Sequence, residues 1–338
     1  MKTKVTIADV ASKANVSLMT VSRVINGANT VSAHTKQKVM DAMDALGYKP
    51  NVAARQLSSG KRGLIGVFCF ASTSSFVSQF LYGCIKNTTS LGAYITVEEF
   101  NTDCSLKDQL TSFSERVEGM IILPPMSDTE SLEDWITHLE VPVALIGTSK
   151  DLSRSKPDCL SIHINDVAAS EACVSYLIEQ GHSAIGMITG DRSQSVSNAR
   201  VQGYKQALEK NGLTLDEDAI QNGDFTYRSA LTAAEKLITQ GNKPTAIFAS
   251  NDDMAAAVIA TAAKHELRVP QDLSILGFDD VNTATLVWPQ LTTVRQPLHD
   301  MAEIALKFVT AGETGGVKTL PFQVIHRDSV GPGPKLNT

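Results

Sequence analysis

The chain has 338 residues, 43% of them hydrophobic and 20% charged, a composition typical of a soluble globular protein with two or three domains. No apolar run is long enough to span a bilayer, and Asp9 and Lys13 interrupt the N-terminal segment, which excludes a signal peptide and predicts a cytoplasmic protein. Five scattered cysteines without a CxxC pair, and histidines without metal-ligand spacing, exclude a disulfide framework and a metal site.

The charge is divided unevenly along the chain. Residues 1–62 contain ten Lys and Arg against three Asp, which gives a formal charge of +7. Because the whole chain carries −6, the remaining residues carry −13. Because a small basic segment on an acidic body typically binds a polyanion, the N-terminal segment is a candidate nucleic-acid-binding domain.

Three short helices are predicted in this basic segment. Positions 7, 10, 11 and 14 are apolar at helical spacing, Thr6 and Asp9 form a capping box at the start, and Asn15 ends the helix. Two further helices are predicted between serine caps and glycine ends: Ser17 to Asn26-Gly27, and Ser32 to Gly47. Since a tight turn joins the first two helices, the pattern predicts a helix-turn-helix.

The second helix has two different faces. Its core-facing stripe consists of Val21, Val24 and Ile25. Another face combines Leu18 and Met19, which can contact base edges, with Arg23, which can bind guanine or a phosphate. Polar side chains suited to phosphates are Thr6, Ser17, Ser22 and Asn26. The alternative interpretation is a plain helical bundle in which Leu18 and Met19 are buried.

The strings TIADVASKANVSLMTVSRVING, VSAHTKQKV, LGYKPN and ARQL together resemble the head of the LacI/GalR family of bacterial repressors. The resemblance implies that Leu18, Met19 and Arg23 read the DNA major groove, and the adjoining Thr20 is a further expected DNA contact. It also implies a short hinge helix that folds beside a second copy and inserts a leucine into the minor groove. The matching hinge residues are Asn51, Ala54, Arg55 and Leu57. The alternative interpretation of Leu57 is a linker residue that packs on the body and does not enter the minor groove.

From Gly63 onwards, short β-branched runs alternate with longer helical segments, which predicts parallel sheets covered on both faces. The predicted strands are 63–70, 94–100, 119–125, 141–147, 160–164, 184–190, 245–251 and 273–280. Ligands of such sheets bind beyond the carboxyl ends of the strands, so the residues that follow the strands should converge on a cleft between two lobes. Candidates by this rule include Phe76, Pro125, Thr148, Asp252 and Asp279.

The body resembles the same family through ITGDRSQSVSNARVQGYKQAL, TAIFASNDDMAAAV, VPQDLSILGFDD and PQLTTVRQP. The resemblance implies an α/β fold with two Rossmann-like lobes, as in periplasmic binding proteins of type I, linked by three crossing strands. These strands are expected near 161–164, 292–295 and 322–324. The predicted domains are a helix-turn-helix head (1–49), a hinge (50–62) and a body (63–338), the body comprising lobe one (63–163 and 293–322) and lobe two (164–292 and 323–331).

The resemblance also implies a small-molecule site in the cleft. Arg200 matches an effector-binding arginine, Asp252 its carboxylate partner and Phe225 an aromatic that stacks on the ligand, while Phe76 and Val77 follow the first strand of the body. These side-chain types suit a sugar. Each has a simpler alternative, since Asp252 could cap a helix, Arg200 could face solvent and Phe225 could be core.

Enzyme motifs such as GxxxxGK[ST], GxSxG and HExxH do not occur. The sequence therefore predicts a transcriptional repressor that binds a palindromic operator as a homodimer, without cofactor, metal ion or membrane. Residues 331–334 (GPGP) without following heptads favour a dimer over a tetramer. The expected effector is a sugar, and a purine, nucleoside or sugar phosphate is the alternative. A bifunctional enzyme and a DNA binder with an empty body are the rival classes, and either release or recruitment by the effector fits this sequence.

Overall fold

The computed structural model describes residues 6–25, 31–46, 48, 63–70 and 74–334. The chain divides into two compact units, Met1–Arg62 and Gly63–Thr338. Among the described residues, no helix combines the length and the apolar composition that a bilayer crossing needs.

The N-terminal unit contains the three predicted helices: α1 (Ile7–Ala14), α2 (Leu18–Ile25) and α3 (Ala33–Leu46). The capping box is confirmed, because the Thr6 hydroxyl accepts the Asp9 N–H and the Asp9 carboxylate accepts the Thr6 N–H at 2.7 Å. Asn15 ends α1 in the left-handed conformation with φ of 52°, also as predicted. Gly27 and Gly47, the expected ends of α2 and α3, lie outside the described residues.

Serine caps start the other two helices of this unit. The Ser17 hydroxyl accepts the Thr20 N–H at 3.1 Å, and the Ser32 hydroxyl accepts the Thr35 N–H at 3.3 Å. The three helices enclose one small core of buried side chains: Val10, Ala11, Ala14, Val21, Val24, Val39 and Ala42. The predicted inner stripe of α2 is thereby confirmed, with Ile25 at its partly buried edge.

The body alternates strands and helices along the chain. The strands are β1 (Leu64–Cys69), β2 (Tyr94–Glu99), β3 (Gly119–Ile122), β4 (Val143–Ile146), β5 (Cys159–Ile164), β6 (Ile185–Ile188), β7 (Ile220–Gln221), β8 (Ala246–Ala249), β9 (Ser274–Leu276), β10 (Thr293–Arg295), β11 (Gly316–Leu320) and β12 (Gln323–Ile325). The α-helices are α4 (Ser75–Leu91), α5 (Leu106–Ser114), α6 (Leu132–Ile136), α7 (Asp166–Glu179), α8 (Ser195–Lys210), α9 (Tyr227–Thr239), α10 (Asp252–Lys264), α11 (Thr283–Leu286) and α12 (Leu298–Ala311). Two single turns of 3-10 helix, Met126–Asp128 and Glu217–Ala219, complete the body.

Two parallel sheets define two lobes. Lobe one has six strands in the order β11-β5-β4-β3-β1-β2, with α4 packed on α12. Lobe two has four strands in the order β7-β6-β8-β9, with the helix pairs α7–α8 and α9–α10. Between the sheets, β10 and β12 form an antiparallel pair. The fold expected from the sequence is confirmed, and β5, β10 and β12 occupy the three segments expected to cross between the lobes.

Two strands were not predicted from the sequence. β7 has only two residues, too few to show a period. β11 is an edge strand of lobe one in which Val317, Lys318 and Thr319 are exposed, so it lacks the continuous apolar run of a buried parallel strand. The eight predicted strands are all present; seven of them end one to four residues earlier than predicted, and the strand predicted at 160–164 ends at Ile164 as expected.

Candidate functional site

A buried arginine lies where strands of lobe two end. Arg200, on α8, is 5% exposed, and its Nε donates to Oδ1 of Asp166 at 2.9 Å. Its Nη1 donates to the Ser250 carbonyl, and its Nη2 lies 3.9 Å from Oδ1 of Asp279. The guanidinium covers the Phe278 ring, with Cζ 3.7 Å from the ring centroid. The alternative of a solvent-exposed Arg200 is thereby excluded.

Asp279 provides the second carboxylate of this cluster, and its backbone is strained. It follows β9, accepts a hydrogen bond from Nε2 of Gln296 at 2.7 Å and has φ of 109°. Asp280 and Phe225 also have positive φ, of 55° and 68°. Non-glycine residues in this conformation are uncommon and concentrate at functional sites. The strain therefore supports a ligand-binding role for this end of the cleft.

Burial makes the carboxylates of this cluster easier to protonate. It raises the pKa of Asp279 to about 7, although Arg200 and the Gln296 hydrogen bond act in the opposite direction. Burial likewise raises the pKa of Asp166, against the attraction of Arg200. Burial, with repulsion from Asp279 as the next cause, raises the pKa of Asp252 well above its usual range. Arg200 therefore faces two carboxyl groups, Asp166 and Asp279, that are costly to ionise.

The raised pKa of Asp279 has a testable consequence for stability. A carboxyl group with a raised folded-state pKa contributes stability below its unfolded pKa and loses it as pH rises through the folded pKa. Asp279→Asn removes this loss, and asparagine tolerates the positive φ. We expect the melting temperature of the variant relative to the natural chain to increase from pH 5 up to about pH 7 and to level off above pH 7.

The control for this experiment is Asp272→Asn. The pKa of Asp272 is lowered to about 2 by its hydrogen bond with Arg268, so its melting-temperature difference should stay flat between pH 5 and 8. A flat profile for Asp279→Asn as well would show that the Asp279 carboxyl keeps one protonation state over this range.

The structure corrects the interpretation of Asp252. Its Oδ1 accepts the Thr293 hydroxyl at 2.6 Å and its Oδ2 accepts the Val281 N–H at 2.9 Å, in a fully buried position. Asn251, not Asp252, caps α10. The carboxylates that pair with Arg200 are Asp166 and Asp279, whereas Asp252 ties α10 to the crossing strand β10.

The other expected ligand contacts lie in different environments. The Phe225 ring is half-buried, 5.6 Å from Cζ of Arg200, and lies so close to Gly190 that a Cβ there would be 2.0 Å from the ring. Phe76 and Pro125 are half-buried. Val77, expected at the site, is instead 4% exposed within the apolar core, a second correction. Thr148 is buried, with its hydroxyl 3.4 Å from Oδ1 of Asp128.

Two cavities adjoin the Arg200 cluster. One of about 400 Å³ is lined by residues that include Asp279, Gln296, Gln79 and His299. The other, of about 330 Å³, is lined by residues that include Asp166, Asn165, His163 and Ser195. Arg200 thus pairs with one carboxylate from each cavity wall. Asp166 and Gln296 were missed from the sequence, although Asp166 lies two positions after the last residue of β5 and the rule of strand carboxyl ends could have found it.

The predicted DNA-reading face of α2 is exposed to solvent. Leu18 and Met19 are 52% and 64% exposed and Arg23 is exposed, which excludes the plain bundle in which the two apolar side chains are buried. Ser22 and Thr20 are half-buried, and the Thr20 hydroxyl pairs with that of Ser17 at 2.9 Å. The remaining predicted DNA contacts lie outside the described residues: Asn26, Asn51, Ala54, Arg55 and Leu57.

Comparison with known proteins assigns both parts of the chain. Residues 6–51 match the model of bacterial regulatory proteins of the lacI family, and residues 174–330 match the periplasmic-binding-protein-like domain. Over 334 residues the chain is 36% identical to catabolite control protein A of Priestia megaterium, covering 96% of this chain and 99% of that protein. The chain belongs to the LacI family. It is therefore a DNA-binding transcriptional regulator, as the sequence predicted.

Other LacI-family proteins align over nearly the full length. The regulator DegA of Bacillus subtilis is 34% identical over 348 residues, covering 99% of this chain and all of DegA. The structure of the lac repressor dimer bound to operator and the anti-inducer ONPF has 28% identity and a TM-score of 0.67, covering 97% of this chain and 99% of that one. A CelR–cellobiose complex has 25% identity and a TM-score of 0.70, covering 96% and 99%.

Proposed function

We propose that this LacI-family regulator is a cytoplasmic repressor that binds a palindromic operator as a homodimer and responds to a neutral sugar. The sugar binds in the cleft of the body beside Arg200, Asp279, Gln296 and Phe225. Its binding changes lobe closure, and closure changes the spacing of the two hinge segments that a dimer presents to DNA. Relatives of the chain are named as transcriptional regulators or repressors, which supports a protein without enzymatic activity.

The observation that carries the choice of effector is the charge balance around Arg200. Asp166 and Asp279 already face the buried Arg200 guanidinium, so an incoming phosphate or carboxylate would meet carboxyl groups instead of a free positive charge. Sugar hydroxyls can donate to the Asp279 carboxylate and accept from Gln296, and the Phe225 ring offers an apolar face to ring C–H groups. The structural relative CelR was solved with cellobiose, a neutral sugar.

A dimer is supported by exposed apolar side chains on the body. Tyr82 and Ile85 on α4 are 50% and 61% exposed, while Leu286 and Trp288, at and after the end of α11, are 82% and 79% exposed. Large apolar side chains that are exposed to this extent in the monomer are typical of protein–protein interfaces. A twofold dimer places one head on each half of a palindromic operator.

A thermal-shift panel on the full chain tests the effector class. We expect neutral monosaccharides or disaccharides to raise the melting temperature, with about 2.7 kcal/mol of stabilisation when the ligand is at 100 times its dissociation constant. Sugar phosphates, sugar acids and purines should give no shift. Gln296→Ala should lose the response to the active sugar, because it removes a hydrogen-bond donor in the cavity wall.

The matched control is Gln240→Ala. Gln240 follows α9 and donates to the Asn242 carbonyl, at the sheet edge opposite the carboxyl ends of the strands, so its variant should respond like the natural chain. A shift with a sugar phosphate or a purine, and none with neutral sugars, would replace the proposed effector class.

A further inference from the structure

Two long helices, α4 in lobe one and α8 in lobe two, begin without a side-chain cap of their own, as α12 also does. Ser74 precedes α4 in lobe one and Gln194 precedes α8 in lobe two, and neither side chain accepts a hydrogen bond from its helix. Other helices of the body are capped locally, for example α5 by Ser105 and α7 by Asn165. Because the first turn of a helix has N–H groups without intrahelical partners, α4 and α8 need acceptors from elsewhere.

The acceptor at the start of α4 comes from lobe two. Asp253, on α10, accepts the Ser75 hydroxyl on Oδ1 at 2.7 Å, and its Oδ2 lies 3.4 Å from the Ser75 N–H. The Thr283 hydroxyl of lobe two donates to the same Oδ1 at 2.7 Å and fixes the orientation of the carboxylate.

The acceptor at the start of α8 comes from lobe one. Asp128, in the 3-10 turn after β3, accepts the Ser195 N–H on Oδ2 at 2.6 Å. Its other oxygen lies 3.4 Å from the Thr148 hydroxyl and 3.5 Å from the Lys150 ammonium, both in lobe one. The two contacts are therefore reciprocal, since each lobe orients a carboxylate that caps a helix of the other lobe.

We propose that these two caps form a latch that holds the lobes closed without any ligand. A carboxylate at a helix N-terminus is favourable because of the unpaired N–H groups and the helix dipole. Opening the cleft removes Asp253 from α4 and Asp128 from α8 together, so it uncaps both helices at once. The stabilisation that an N-cap usually gives a helix corresponds to a shift of about 2- to 30-fold in the ratio of closed to open molecules for each contact. An effect of the latch on operator binding rests on the proposed function, whereas the latch itself needs neither effector nor DNA.

Amide hydrogen exchange on the full chain, without ligand or DNA, tests the latch. Asp253→Ala should speed exchange at the start of α4, where the contact is lost, and also at the start of α8, because the lobes open more often. Asp128→Ala should produce the same two changes. We expect acceleration within the range of about 2- to 30-fold at both sites. The milder Ser75→Ala, which removes only the hydroxyl, should give a smaller change with the same pattern.

Ser105→Ala is the matched control, because it removes a cap that α5 receives within lobe one. It should speed exchange at the start of α5 and leave α4 and α8 unchanged. If Asp253→Ala and Ser75→Ala affect only α4, the caps are local and the latch is refuted. This readout does not depend on the effector, so the latch can fail while the proposed function stands, and the reverse also holds.

Discussion

Replacing Arg200 with alanine is expected to lower the free energy of unfolding of the body by about 3–5 kcal/mol, because it leaves buried carboxyl groups without their cation. Asp166 and Asp279 both face the guanidinium, and the Ser250 carbonyl loses its donor. Without Arg200 the pKa values of both carboxyl groups rise further, so the loss of stability should be larger at pH 8 than at pH 5. Denaturant unfolding of the full chain at the two pH values measures both effects.

The variant should also lose its response to the effector, since Arg200 is part of the proposed site. Adding Asp279→Asn to Arg200→Ala should recover part of the stability, because one uncompensated charge is removed. Arg268→Ala is the control: Arg268 pairs with Asp272 on the surface, and the loss of that pair should change stability little. An Arg200→Ala variant as stable as the control at pH 8 would contradict a structural role for this ion cluster.

Truncating the exposed face of α2 is expected to abolish specific operator binding. In the triple variant Leu18→Ala, Met19→Ala, Arg23→Ala, three side chains that can contact base edges are removed, and each is worth about 1–3 kcal/mol of discrimination. If these losses add, the affinity for an operator selected from random palindromic DNA falls by at least about 100-fold. Binding to unrelated DNA should weaken much less, because one positive charge of the basic segment is lost.

Fluorescence anisotropy at a fixed salt concentration measures both affinities. Lys13→Ala is the matched control, since it removes one positive charge from α1 and leaves the exposed face of α2 intact. The triple variant should unfold like the natural chain, because Leu18 and Met19 are exposed and the buried Val21 and Val24 are unchanged. A loss equal for operator and unrelated DNA would identify α2 as a phosphate-binding element only.

Local features of this chain could be predicted from the sequence because neighbours in the chain determine them. The capping box of Thr6 and Asp9, the end of α1 at Asn15 and the inner stripe of α2 each depend on residues within one or two helical turns. The eight apolar runs of the body predicted buried parallel strands for the same reason. β11 was missed because pairing with β5 holds it at the sheet edge, and its own side chains are exposed.

The ion cluster of the site was predictable only in part. Arg200 was identified from a motif, but its partner Asp166 lies 34 positions away and reaches it because α7 packs against α8. Gln296 reaches Asp279 because β9 and the crossing strand β10 end together. Such contacts depend on strand order and helix packing, which the local pattern of residues does not specify.

The adjacent residues Asp252 and Asp253 show which features the sequence determined by itself and which features only the tertiary structure decided. The sequence places both at the start of a helix after a buried strand, where acidic residues are favoured, and it cannot assign them different tasks. Successive helical residues point about 100° apart, so the packing of α10 turns one inward and the other towards lobe one. Asp252 is consequently buried against Val281 and Thr293, and Asp253 reaches Ser75 across the cleft, because the lobes surround the helix on different sides.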